Sequence, residues 1–211
     1  MVYHTGEIGR GLELYHKSCE EARKRGFLIA LSEAATNLSV EYASLRDAEG
    51  ALHWAEQATE AATQAGTLQY QILAALALAW GCILRGDASR ALSSLETAEQ
   101  VARKAGVEVG QVGAGVSGPV MPTPGRVHIF LGDWDQAETE LLRLVEHCSR
   151  IHSQVLRRLA VGLTLGWFYL ERGDLAAAKT ELGESVTYCQ ATGDNPPELA
   201  FRALLVQVGC K

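Results

Sequence analysis

The sequence predicts an all-α protein, a superhelical array of antiparallel helix pairs, on three observations. A two-residue corner recurs as Gly6-Glu7, Arg46-Asp47, Gly86-Asp87, Gly132-Asp133 and Gly173-Asp174, at steps of 40, 40, 46 and 41 residues. A small residue stands five positions after the first member of each corner: Gly11, Ala51, Ala91, Ala137 and Ala178. Between corners, apolar residues recur at helical spacing of three and four, without the alternation of strands. A period in this range marks stacked helical hairpins, which build surfaces along one continuous body. All of 1–211 therefore reads as one repeat domain of about four repeats with partial repeats at both ends.

The chain opens with MVYHTGEIGRG, only a few residues before its first corner, so the first helix of that repeat is almost absent. The helix after it closes on Arg23-Lys24-Arg25, where cations suit the negative end of the helix dipole. Residues 31–66 form the next pair, with Leu38 and Tyr42 before the corner and Ala51, Ala55 and Ala58 after it. Small residues there let two helix backbones approach closely.

The clearest pair spans Gln71 to Gly106. Its first helix is rich in Ala and Leu, strong helix formers. Gly86 lacks a Cβ and suits the left-handed conformation that ends a helix. Asp87 suits the start of the next, accepting backbone N–H bonds. Ala91, Leu95, Ala98 and Val101 then share one stripe, and Gly106 ends it.

The following interval is six residues longer than its counterpart from Gly66 to Gly86. Its run GVEVGQVGAGVSGPVMPTPG is too rich in Gly and Pro for one unbroken helix. The expectation is a short helix over about 107–116, then a loop, so that 107–125 breaks the array. A new helix should begin with Thr123 as cap and Pro124 at its first position. Glu138, Glu140 and Glu146 follow on a helix with Arg143, spaced for surface ion pairs. Residues 159–192 repeat the scheme around Gly173-Asp174, with Ala178, Leu182, Ser185 and Tyr188 or Cys189 on one face. At the end, PPELAFRALLVQVGCK offers the apolar face of another first helix (Leu199, Ala203, Val206) with no second. The expectation is a fragment of a longer protein, with uncapped ends that favour homodimer formation.

Charge and composition exclude several classes. The net charge is −6, and no Lys/Arg stripe runs along the chain, which argues against direct nucleic-acid binding. The most apolar stretch, Ile72 to Leu84, is short for a membrane span and interrupted by Gly81. Five scattered cysteines (Cys19, Cys82, Cys148, Cys189, Cys210) include no C-x-x-C pair, and free buried thiols in a reducing cytoplasm are expected.

Sharper chemical signals do not assemble. Gly113 to Gly118 spells G-x-G-x-x-G, but a helix is expected before it, and Pro119 and Pro122 follow where a nucleotide site needs a helix N-terminus. His147, Cys148 and His152 diverge around a helix and do not converge as metal ligands. Ser93, Ser94 and Ser117 have no base nearby. No catalytic residue, metal or cofactor is therefore assigned, and the chain is read as a non-enzyme.

The corner, the small residue after it, and the aromatic or leucine and small residue that follow resemble the tetratricopeptide repeat. Leu165, Gly166 and Tyr169 match its first helix, and Ala178, Leu182 and Ser185 its second. Leu38, Ser39, Tyr42, Ala51 and Ala58 match in an earlier repeat, with Arg46 in place of the glycine. Residues 118–151 depart most, with Pro124-Gly125 at the Leu-Gly positions. The roughly 40-residue period resembles the helical-repeat regions of MalT-like LuxR-type regulators and of AAA-ATPase-linked nucleotide cyclases.

That resemblance implies a right-handed superhelix whose first helices line a groove for peptides or helices. Trp80 and Trp167 each stand six residues before their corner, at a groove position, with Val40 and Arg126 at the same place in other repeats. Trp80, Leu84, Arg126 and Trp167 are thus the candidate groove for a protein or peptide partner. The competing reading has the tryptophans merely packing between hairpins. A clamp for a C-terminal carboxylate is not expected, because Asn37 is followed by Leu76, Ala77 and Trp80. The expected function is a protein-interaction scaffold within a bacterial signalling or regulatory protein. The alternatives are an effector-sensing module of a transcription regulator, holding a small molecule or peptide, and a structural or oligomerisation spacer.

Overall fold

A computed structural model describes residues 8–110, 112 and 123–193. Among these residues there are nine α-helices and no strand: α1 (Ile8–Arg25), α2 (Leu28–Ser44), α3 (Ala48–Ala65), α4 (Leu68–Arg85), α5 (Ala88–Ala105), α6 (Pro124–Leu131), α7 (Trp134–Arg150), α8 (Gly162–Glu171) and α9 (Leu175–Thr192). A π-helical segment, Leu156–Val161, leads into α8. The Gly6-Glu7 corner, the Gly113 to Gly118 motif, residues 111 and 113–116 of the expected 107–116 helix, and the face of Leu199, Ala203 and Val206 lie outside the described residues; of the rest of that expected helix, Val109, Gly110 and Val112 are helical and Val107 and Glu108 are not.

The corners are the joints of the array. Residues with positive φ fall at Gly26, Arg46, Gly66, Gly86, Gly106, Gly132, His152, Gly173 and Gly193. They stand 20 residues apart, except for 26 between Gly106 and Gly132 and 21 between His152 and Gly173. Every helix end thus repeats one left-handed turn. Asp47, Asp87 and Asp174 cap the helices after their corners, accepting from Gly50, Arg90 and Ala177 N–H at 2.9, 3.0 and 3.0 Å. Asp133 does the same for Gln136.

The two irregular intervals have different structural solutions. The six extra residues fall before α6, which is only eight residues long. Thr123 caps it, accepting from Arg126 N–H, and Pro124 occupies its first turn, as the sequence predicts. The one extra residue after His152 coincides with the π-helical segment. A π-turn takes one more residue than an α-turn over the same rise, so the helix continues in register beyond it.

The hairpins close on complementary sizes. Seven residues before three of the corners stand Ala79, Gly125 and Gly166, and they pack with Leu95, Leu141 and Leu182, nine residues after the same corners. A Cβ at Gly125 would come within 2.9 Å of Leu141 Cγ. Gly166 meets Leu182 in the same way. Pro124-Gly125 therefore preserves the packing of the Leu-Gly pair, although it departs from the pattern in sequence. In the first hairpin, Ser39 Oγ donates across the tight interface to the Ala51 carbonyl at 2.8 Å. Ala51, Ala91, Ala137 and Ala178 are all fully buried, and Gly11 is buried too.

The core is a chain of clusters rather than one centre, as stacked repeats require. One joins α1 to α4 through Leu31, Leu38 and Ala58, the next joins α4 to α6 through Leu76, Leu95 and Val127, and a third joins α6 to α8 through Ile129, Leu141 and Phe168. Short as it is, α6 belongs to two of them. The helix α4 runs 18 residues, longer than its most apolar run, and by length and composition alone is apolar enough to cross a membrane. Ile72, Leu73 and Leu76 are instead spent on its neighbours.

Two expectations on the surface are refined. Arg143 pairs with Glu140 at 2.6 Å, as helical spacing predicts. Glu138 instead reaches Arg172, beyond the end of α8, at 2.9 Å and so ties two hairpins together. At the far end of α9, the core-facing residue is Cys189, while Tyr188 is half-buried.

The first helices of the pairs form the more closely packed layer. α2 touches α4 and α4 touches α6, while α3 and α5 make no comparable contact. In a curved stack the layer whose members approach more closely is the concave one. α2, α4 and α6 therefore line the inner face, continued by α8.

Candidate functional site: an aromatic ladder on the inner face

Four side chains from three successive first helices meet on this face. Trp80 comes from α4, Arg126 and Phe130 from α6, and Trp167 from α8. The Phe130 ring stands edge-on to Trp80 at 4.7 Å between centroids, with planes at 82°. On its other side it meets Trp167 at 4.9 Å and 45°. The Arg126 guanidinium lies over the Trp80 ring at 4.9 Å. Edge-to-face and tilted pairs at this separation are the favoured aromatic geometries, each worth about 0.5–1.5 kcal/mol beyond area burial.

The repeat register builds this ladder. Trp80, Arg126 and Trp167 each stand six residues before a corner, and Leu84 and Phe130 stand two before. Positions four apart lie on one helix face, so each first helix presents two groove residues one turn apart. The Thr123 cap starts α6 just ahead of Arg126. The π-helical segment keeps Trp167 six residues before Gly173, despite the extra residue upstream.

The three aligned residues chosen from sequence are thus brought together, and Leu84 lies one turn beyond Trp80 on the same face. The tryptophans do pack between neighbouring first helices, but through Phe130, and the strip remains partly open. Trp80, Leu84, Arg126 and Trp167 are half-buried, and Phe130 is 41% exposed. Phe130, the ladder's central rung, is not among the candidate residues that the sequence marks. Its signal was available: it occupies the same register position as Leu84.

The next repeat toward the N-terminus differs. Val40, the counterpart of Trp80, is buried with Leu73, and Val112 and Tyr70 pack against the two. The start of the long interval therefore covers the inner face between α2 and α4. The open aromatic surface begins at Trp80 and continues toward Trp167.

Electrostatics follow the same division. Glu33 of α2 accepts from the Tyr70 hydroxyl at 3.2 Å. Burial, with Glu33 adding to it, raises the Tyr70 pKa. Arg126 retains partial exposure as a residue, yet its guanidinium is crowded by protein, and desolvation lowers its pKa to about 10. It remains a cation at neutral pH, in a setting that strengthens its interaction with an anion.

The other chemical candidates fall apart in space. Cys148 is buried in the core and His152 occupies a helix corner. Among the described residues no three His, Cys, Asp or Glu side chains gather in a metal-binding arrangement. Cys19, Cys82, Cys148 and Cys189 are free and buried. Burial pushes the Cys19 thiol up to about 11, with Arg23 opposing.

No protein-family model matches the chain, and no curated protein matches it. Solved structures similar in fold include the following two. BtubC (BKLC) from P. vanneervenii shares 17% identity at a TM-score of 0.64, covering 96% of this chain and 85% of that one. The Rap protein, solved in complex with Competence and Sporulation Factor, shares 13% identity at a TM-score of 0.59, covering 99% of this chain. This chain spans 60% of the length of that Rap protein. At these identities the likeness concerns fold alone. The chain is an all-α superhelical array of antiparallel helix pairs, a tetratricopeptide-like solenoid.

Proposed function

We propose that this chain is a non-catalytic protein-interaction module whose partner, a protein or peptide segment, lies on the inner face across Trp80, Phe130 and Trp167. The observation that carries this reading is the partly exposed ladder itself. Clusters of Trp, Phe and Arg at the centre of a concave surface have the composition of binding hot spots. The Rap protein, which shares this fold, was solved in complex with Competence and Sporulation Factor. That precedent of a bound partner favours an interaction module over a structural spacer as the reason for an open inner face.

The finer reading is a segment of a larger bacterial signalling or regulatory protein, of the kind with roughly 40-residue repeats named above, working in the cytoplasm. Free, buried cysteines at four described positions fit a reducing compartment. The test is a selection of random twelve-residue peptides displayed on phage, followed by affinity measurements on the resynthesised winners. Binders that lose affinity on Phe130→Ala support the reading. Binders indifferent to Phe130, or no binders at all, contradict it.

A further inference from the structure

The inner face carries charge information beyond its aromatic character. Resting on the groove reading above, we infer that the segment it accepts is acidic as well as apolar: a bulky apolar residue placed on Phe130, with a carboxylate beside it that pairs with Arg126. Three observations lead there.

The first is placement. Arg126 is not at a rim. It shares the register position of Trp80 and Trp167 and stacks on Trp80 at 4.9 Å, one helical turn from Phe130. A group that reaches Phe130 has the guanidinium within one residue's span. The second is donor capacity. A guanidinium has five N–H donors in a fixed fork, so it can receive a carboxylate beside the intramolecular contacts it already makes. The aromatic face beneath holds the fork in place, which lowers the ordering cost of the new pair. The third is contrast. The chain as a whole carries −6, and Glu33, on α2, lies beyond the part of the face that Val112 covers. Among the four ladder side chains Arg126 is the cation, so a carboxylate is drawn to that point of the strip, which fixes the segment's register.

The occupant is thus an extended acidic–apolar segment of a protein, and the other occupants are outcomes of the test. Phage-displayed random twelve-residue peptides are selected on the wild type, on Arg126→Gln and on Phe130→Ala, with circular dichroism confirming that each variant is folded. The wild-type pool should be enriched in Asp or Glu within a few residues of Leu, Phe or Trp. The best resynthesised peptide should bind Arg126→Gln at least tenfold more weakly, and its Glu→Gln version should lose a similar factor on the wild type but little further on Arg126→Gln. Arg126→Lys, which keeps the charge without the planar fork, should recover part of the loss. Peptides that need Phe130 but show no acidic enrichment and no dependence on Arg126 overturn this inference and leave the groove reading standing. Enrichment of basic peptides overturns it as well. A pool indifferent to Phe130 overturns both.

Discussion

Gly166 faces Leu182 so closely that a Cβ on the glycine would overlap the leucine's Cδ2. The contact seals the hairpin between α8 and α9, and it repeats the one between Gly125 and Leu141. Gly166→Ala should therefore destabilise the protein by about 1–3 kcal/mol despite the better helix propensity of alanine, because overpacking outweighs propensity. Leu182→Ala in the same chain should recover part of that loss. Urea unfolding of the two single variants and the double variant checks it; additive losses would refute the contact.

Arg46 holds a left-handed backbone with φ of 63°, where the other corners except His152 place glycine. A side chain in this region costs energy that glycine does not incur. Arg46→Gly should stabilise the protein by about 0.5–1 kcal/mol, read as a rise in the urea midpoint without change in slope. Gly86→Ala, at the equivalent corner, should do the reverse by a similar amount. A lower midpoint for Arg46→Gly would show that the arginine side chain contributes something its exposed position does not suggest.

Glu140 supplies a pH dependence. Burial raises its carboxyl pKa above the ordinary value, with Arg143 opposing. The folded state then holds the proton more tightly than the unfolded chain does. Its contribution to stability is full below the unfolded carboxylate range and is lost as pH rises through that range and through the raised folded value. Glu140→Gln should match the wild type near pH 4 and gain on it progressively toward pH 7. Parallel stability curves across that window would contradict the assignment.

Phe130 and Phe168 separate surface from core on the same fold. Phe168 is fully buried, and Phe168→Ala should cost about 3–5 kcal/mol. Phe130 is 41% exposed, and Phe130→Ala should cost less, about 1–3 kcal/mol, the worth of its two ring contacts. Chemical unfolding of both variants measures the gap. Equal losses would place Phe130 in the core and remove it from a binding surface.

Much of this architecture is legible in the sequence because each corner concentrates local chemistry in two residues. A left-handed residue ends one helix and an Asp caps the next, and both act over three or four positions. The Thr123-Pro124 start is legible for the same reason. The π-helical segment at Leu156–Val161 is not, since a single extra residue leaves composition unchanged and shows only as a step of 41 instead of 40. Glu138 to Arg172 is likewise a contact between hairpins, beyond the reach of helical spacing. At the site, Trp80, Arg126 and Trp167 stand out because register aligns them. Phe130 does not stand out, because its register position, two before the corner, holds Leu84 in one repeat but Ser44 and Glu171 in the others.

The most direct test of an inner-face binding site compares two exposed apolar residues on opposite layers. Phe130 lies on α6 of the inner layer, and Leu92, 42% exposed, lies on α5 of the outer one. The affinity of a selected peptide is measured by fluorescence anisotropy for the wild type, Phe130→Ala and Leu92→Ala. A site on the aromatic ladder predicts at least a tenfold loss for Phe130→Ala and no change for Leu92→Ala. Unchanged affinity for Phe130→Ala, or an equal loss for Leu92→Ala, would contradict it.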